Sequence, residues 1–117
     1  MAYQPGTHII ASLESTVSEL LTAYTPVKLC IDDFVIQFGL TKLGEVYHDF
    51  PTGGYTAVVC LSESHISIHT WPEHNLVNVD IYLSNFQRNN DGTVENIFLA
   101  FIDFFSARLI QKQVIIR

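Results

Sequence analysis

Residues 60–75, CLSESHISIHTWPEHN, concentrate side chains that can do chemistry: Glu63, Ser64, His65, Ser67, His69 and Glu73, with the chain's single tryptophan, Trp71, among them. A hydroxyl beside an imidazole is the pairing that nucleophilic catalysis uses, and Ser64 next to His65, or Thr56 brought near a histidine, supplies it. The glycines of a G-x-S-x-G nucleophile elbow are absent around Ser64, so the hydrolase form of that chemistry has little support. A shared metal fares no better. His65 and His69 lie four residues apart on an alternating stretch, about 13 Å along a strand, too far to ligate one ion together. His48, His69 and Glu73 would have to converge through the fold. The plainer reading of His65 and His69 is a pair of strand histidines with ordinary hydrogen bonds.

The elements that must carry these residues follow from apolar period. THIIASL (7–13) reads as a first strand, and Thr16 with Glu19 offers a capping box for a short helix through SELLTAY. Thr25 and Pro26 look like an N-cap and first helical residue. Val27, Cys30, Ile31, Phe34, Val35 and Phe38 then recur at three and four, the stripe of a helix laid on a sheet, with Gly39 placed to end it. LGEVYHDF alternates, PTGG turns, and YTAVVCL (55–61) has the β-branched content of a central strand. SHISIHT alternates again, with Ile66 and Ile68 opposite His65, Ser67 and His69. After a break at Trp71-Pro72, LVNVDIYL (76–83) resumes strand. QRNNDG is loop, and Val94, Ile97, Phe98, Phe101, Ile102, Phe105 and Leu109 form a second helical stripe before a closing strand, KQVIIR. Phe50, at a strand end before a Gly-Gly turn, is either an edge-of-core residue or an exposed stacking surface.

Short links between the middle strands require antiparallel pairing, because parallel neighbours need a long crossover. The expected architecture is therefore α+β: a two-layer sandwich of a mainly antiparallel sheet with both long helices on one face, in one domain over residues 1–117. Six basic against twelve acidic residues give a net charge of −6, the wrong sign for neutralising phosphates, so nucleic acid is not an expected partner. Cys30 and Cys60 form no zinc-type pair and are expected as free thiols in a reduced compartment. The N-terminus lacks a basic and apolar signal pattern, and IFLAFIDFFSARLI is interrupted by Asp103 and Arg108. A cytoplasmic protein that does not span a membrane is the expectation.

The string SESHISIHTWPE closely resembles the central motif of the prokaryotic-type S-adenosylmethionine decarboxylases, which are pyruvoyl-dependent. GTHIIASL, HDF with GGYTAVV, and NVDIYL resemble the segments around that motif, so the similarity covers most of the chain. The resemblance implies self-cleavage. Ser64 would attack the carbonyl of Glu63, turning amide into ester, and elimination would leave a β chain of residues 1–63 and an α chain of 64–117 beginning with a pyruvoyl group. That ketone would form a Schiff base with the substrate amine and act as electron sink for decarboxylation. No metal is implied. His69 matches the histidine that assists processing and Thr56 a serine that supports it. Glu73 matches the carboxylate that binds the ribose hydroxyls and Phe50 an aromatic that stacks on adenine. His65 falls with the substrate-binding residues. A homodimer with sites near its interface is also implied, in a route to the aminopropyl donor for spermidine.

Two positions depart from the family pattern. The cysteine that protonates the decarboxylated substrate is replaced by Ser84, a far weaker acid. The opening strand reads Ser12 and then LEST where the family usually has a glutamate and a Tyr-Gly-Cys-like stretch. The alternatives are the same pyruvoyl chemistry on a basic amino acid, ornithine or arginine, and a non-catalytic, unprocessed paralogue that binds an adenosyl ligand.

Overall fold

The computed structural model describes residues 2–86 and 88–117. Strand β1 (Thr7–Glu14) is followed by a short helix, α1 (Ser18–Thr22), and a longer one, α2 (Thr25–Gln37). Four strands then run in succession: β2 (Lys42–Asp49), β3 (Tyr55–Leu61), β4 (Ser64–Trp71) and β5 (Leu76–Leu83), with a 3-10 turn at Pro72–His74. Helix α3 (Asp91–Phe104) and strand β6 (Arg108–Ile116) complete the order. The six strands among the described residues join one sheet, β2-β3-β4-β5-β1-β6, and every neighbouring pair is antiparallel. The middle four form a meander because their links, 50–54, 62–63 and 72–75, are too short for anything else.

Strand alternation decides which face is covered. Ile9 and Leu13 of β1, Tyr55 and Val59 of β3, Ile66 and Ile68 of β4, and Val77 and Ile81 of β5 are all fully buried. Against them lie Val27, Ile31 and Phe34 of α2 and Val94, Ile97 and Phe101 of α3, in one continuous core. The two helices meet where Phe34 and Phe101 pack edge to face with centroids 5.1 Å apart. The expected α+β sandwich with both long helices on one face is thus the observed one. Among the described residues no helix is long and apolar enough to cross a membrane.

Local details differ from the sequence reading. The Thr16 and Glu19 capping box does not form: α1 is preceded by Val17, which makes no side-chain cap. The Ser15 hydroxyl instead accepts from Val17 N–H and donates to the Phe105 carbonyl, tying this turn to the end of α3. Helix α2 starts on Thr25, with Tyr24 outside it, because Asp49 of β2 accepts the Tyr24 N–H at 2.8 Å. Helix α3 stops at Phe104, and Leu109 belongs to β6 opposite Leu13. Ser106, at φ +48°, turns the chain while Ala107 N–H bonds back to Ile102, so a four-residue spacing from Phe105 continued the helical stripe only by coincidence. Gly39 does end α2, at φ +62°. The β2 edge is guarded by charge: Lys28 and Lys42 both bind Glu45, at 2.8 and 2.7 Å, and Lys42 also reaches Asp32.

The opposite face of the sheet carries no helix among the described residues. Val46, Val58 and Ile10 are 65%, 43% and 40% exposed there, in a field that also holds Thr56, His65, Ser67, His69 and Asp80.

Candidate active site

The Glu63–Ser64 peptide bond lies at the corner between β3 and β4, where only Ser62 and Glu63 join strands registered Leu61 to Ser64. Two-residue hairpins normally rely on glycine or asparagine to reach positive φ; this corner has neither, and the positive φ, +149°, falls on Ser64. A non-glycine residue held there stores about 1–3 kcal/mol of backbone strain. The Glu63 carbonyl accepts the Ser84 N–H at 2.8 Å. Its carboxylate takes two bonds from Arg88, at 2.9 and 3.1 Å, and another from Asn90. Arg88 also donates to the Phe38 and Gly39 carbonyls at the end of α2, while the buried Asn90 amide donates to Ser84 O at 2.9 Å. The corner is therefore held from three directions, and the Arg88 hydrogen bonds keep the pKa of the Glu63 carboxyl below its ordinary value.

Beside this corner, on the uncovered face, His65 Nδ1 is 3.4 Å from Ser64 Oγ and His65 Nε2 is 3.0 Å from Asp80 Oδ1. The same Asp80 oxygen takes His8 Nε2 at 2.5 Å. Nitrogen and oxygen atoms of His8, His65 and Asp80 lie within 4.8 Å of one another, a donor set able to take a metal ion; their bonds to each other already satisfy those atoms. Cys60 sits across from His65 in the β3–β4 register. Cys30 lies on α2, half-buried, where burial pushes its thiol up to about 12, so it stays protonated.

The second group gathers toward the other end of β4. Thr56 faces His69 across the strand pair, and Thr56 Oγ1 and His69 Nδ1 are hydrogen-bonded. Phe50, Thr56, His69, Trp71 and Glu73 line a cleft of about 610 Å³, within the range that holds a small ligand. Phe50 is 46% exposed at its mouth, with His48 edge-on to its ring, so of its two expected placements the exposed surface is the one observed. His48 is separated from His69 by the whole width of β3, and the convergence of His48, His69 and Glu73 considered from sequence does not occur. Under the cleft, Thr70 Oγ1 accepts the Tyr55 N–H at 2.9 Å and donates to Leu21 O at 2.8 Å.

The structure thus brings together Phe50, Thr56, His69 and Glu73, and separately Glu63, Ser64, His65 and Ser84. The two groups are five strand residues apart, about 16 Å along β4. Sequence reasoning missed Arg88, Asn90, Asp80 and His8. Arg88 and Asn90 sit in a stretch read only as loop. Asp80 and His8 alternate correctly on their strands, but their meeting depends on β1 lying beside β5, which no local pattern encodes.

Fold and site together define the class: a two-layer α+β protein with a held Glu-Ser corner and a separate aromatic-carboxylate cleft on its uncovered face. The sequence model of S-adenosylmethionine decarboxylase matches residues 7–117, and the chain belongs to that family. The S-adenosylmethionine decarboxylase proenzyme of Archaeoglobus fulgidus is 40% identical over 100 residues, covering 86% of each chain. That of Thermoplasma acidophilum is 35% identical over 113 residues, covering 96% of this chain and 82% of its own. The crystal structure of the adenosylmethionine decarboxylase from Aquifex aeolicus matches with a TM-score of 0.85 at 32% identity, over 99% of this chain and 92% of that one.

Proposed function

We propose that this single-domain chain is a proenzyme that cuts its own Glu63–Ser64 bond and, as chains 1–63 and 64–117, decarboxylates S-adenosylmethionine in the cytoplasm. The observation that carries this reading is the Glu63 carbonyl: it is polarised by Ser84 N–H at 2.8 Å beside a serine at φ +149°. That N–H stabilises the oxyanion formed when Ser64 Oγ attacks, as oxyanion-hole donors do, and cleavage releases the strain at Ser64. These residues fit a pyruvoyl group made at position 64, which supplies an electron sink for decarboxylation. No metal enters the reading.

The cleft supplies the rest. Phe50 offers an exposed ring to stack a nucleobase, and Glu73 a carboxylate to accept paired ribose hydroxyls. His69, oriented by Thr56, takes the proton that elimination releases during processing. Ser84 marks the position of the proton donor, and its hydroxyl is a weak one. The product would be the aminopropyl donor for spermidine synthesis. Because His69 lies about 16 Å from Ser64 along one strand, it serves a second chain: two copies stacked on their uncovered faces about a two-fold axis set the cleft of each against the Glu63–Ser64 corner of the other.

The departures at Ser84 and Ser12 favour a second reading, the same chemistry on ornithine or arginine; Ser12 bonds Asn78 on the uncovered face and presents no carboxylate there. Release of labelled CO2 from carboxyl-labelled S-adenosylmethionine, ornithine and arginine by the processed protein decides between them. Release from none of them by processed protein would contradict both, whereas a chain that stays full-length after long incubation would favour the unprocessed, adenosyl-binding paralogue.

A further inference from the structure

We infer that His65, aligned by Asp80 and His8, is the base that starts self-cleavage by taking the proton of Ser64. The inference rests on the self-processing reading and adds the group that this reading leaves out, since it gives His69 the proton of the elimination and assigns no base to the Ser64 hydroxyl. The geometry is a relay. Asp80 Oδ1 accepts from His8 Nε2 and from His65 Nε2, so both imidazoles carry their proton on Nε2. His65 then has its Nδ1 lone pair free for Ser64 Oγ, 3.4 Å away. Unliganded catalytic contacts are often this loose before the reacting geometry closes. A carboxylate behind the imidazole fixes its tautomer and steadies the imidazolium that forms.

His8 holds the carboxylate in place. It is 5% exposed, and its Nδ1 faces the Arg117 guanidinium at 3.5 Å, which fixes its tautomer from the other side. The Tyr82 ring packs on both histidines. The step balances without a co-reactant. As the Ser64 Oγ–C bond to Glu63 forms, the hydroxyl proton passes to His65 Nδ1; as the old C–N bond breaks, His65 returns that proton to the departing Ser64 nitrogen. Amide becomes ester with no net proton. His65 is a catalytic residue here; Asp80 and His8 are positioning residues.

The test isolates this step from the elimination that follows it. H69A stalls at the ester, which hydroxylamine cleaves at 63/64; with hydroxylamine in excess and EDTA present, the cleavage rate reports ester formation. The expected result is that H65A/H69A and D80N/H69A cleave at least tenfold more slowly than H69A, and that added imidazole restores H65A/H69A. D80N is isosteric and tests the relay by itself if H65A does not fold. Equal rates in H69A, H65A/H69A and D80N/H69A overturn the relay alone, as does a slowed H65A/H69A with an intact melting transition that imidazole does not restore. No cleavage at 63/64 in either H69A or the parent overturns the self-processing reading together with the relay.

Discussion

Thr70 ties the floor of the cleft to α1 through its hydroxyl, and T70V tests how that cleft is held. Valine keeps the shape of threonine and removes both hydrogen bonds of Oγ1, leaving Tyr55 N–H and Leu21 C=O without this partner under a side chain that is 5% exposed. The loop above has little freedom to recover them: at Gly54, at φ +92°, a Cβ would meet Thr70 O at 3.0 Å and Pro72 Cδ at 3.1 Å. Each orphaned buried group costs about 1–3 kcal/mol, and the added methyl returns less than about 1 kcal/mol, so the net loss for the two groups is about 1–5 kcal/mol, centred on about 3 kcal/mol. With unfolding entropy of about 2.1 cal/mol/K per residue, that loss lowers the melting temperature by roughly 4–20 °C, centred on about 12 °C. T70S keeps both bonds and loses only a methyl, about 1 kcal/mol. Urea and thermal denaturation of both variants in an S64A background, where the chain stays in one piece, measure the difference. A T70V protein as stable as T70S refutes the reasoning.

Three further outcomes are expected. Arg88 holds the Glu63 carboxyl below its ordinary 4.5, so the pair's contribution is present at pH 7 and is lost as pH falls below 4.5 through the folded-state value. R88M therefore falls short of its parent by a margin that shrinks on acidification, by about 1 kcal/mol or less because Arg88 is 44% exposed, as urea denaturation at pH 7 and pH 3 reads. N90A removes the donors to Glu63 and Ser84 O and lowers stability by about 2–4 kcal/mol at pH 7; a loss under about 0.5 kcal/mol would mean that Asn90 does not hold the corner. Co-expressed S64A and H69A chains regain partial cleavage that neither shows alone, because a mixed dimer pairs an intact Ser64 with an intact His69; no cleavage in the mixture removes the shared-site arrangement.

Most of the fold was legible because its signals are local. The alternation in SHISIHT placed His65 and His69 opposite Ile66 and Ile68, and the Val27–Phe34 and Val94–Phe101 stripes marked the helices that cover the Ile face. Helix ends were less legible, since a tertiary bond from Tyr24 to Asp49 and a left-handed Ser106 decide them. In the site, Phe50, Thr56, His69 and Glu73 were picked out by the resemblance of their segments to a family motif and not by periodicity, and the structure gathers them because all four lie on the β2–β3–β4 meander and its links. The His8–Asp80–His65 cluster was not legible. It needs β1 to insert between β5 and β6, and the pairing of residues more than 70 apart is set by the packing of the whole sheet.

The central claim is that the Glu63–Ser64 bond is made to break. Intact-mass spectrometry of the purified protein after prolonged incubation tests it most directly. Two fragments that divide between Glu63 and Ser64, the second resistant to Edman degradation, are the expected result; a single species at the mass of the full 117-residue chain would contradict it.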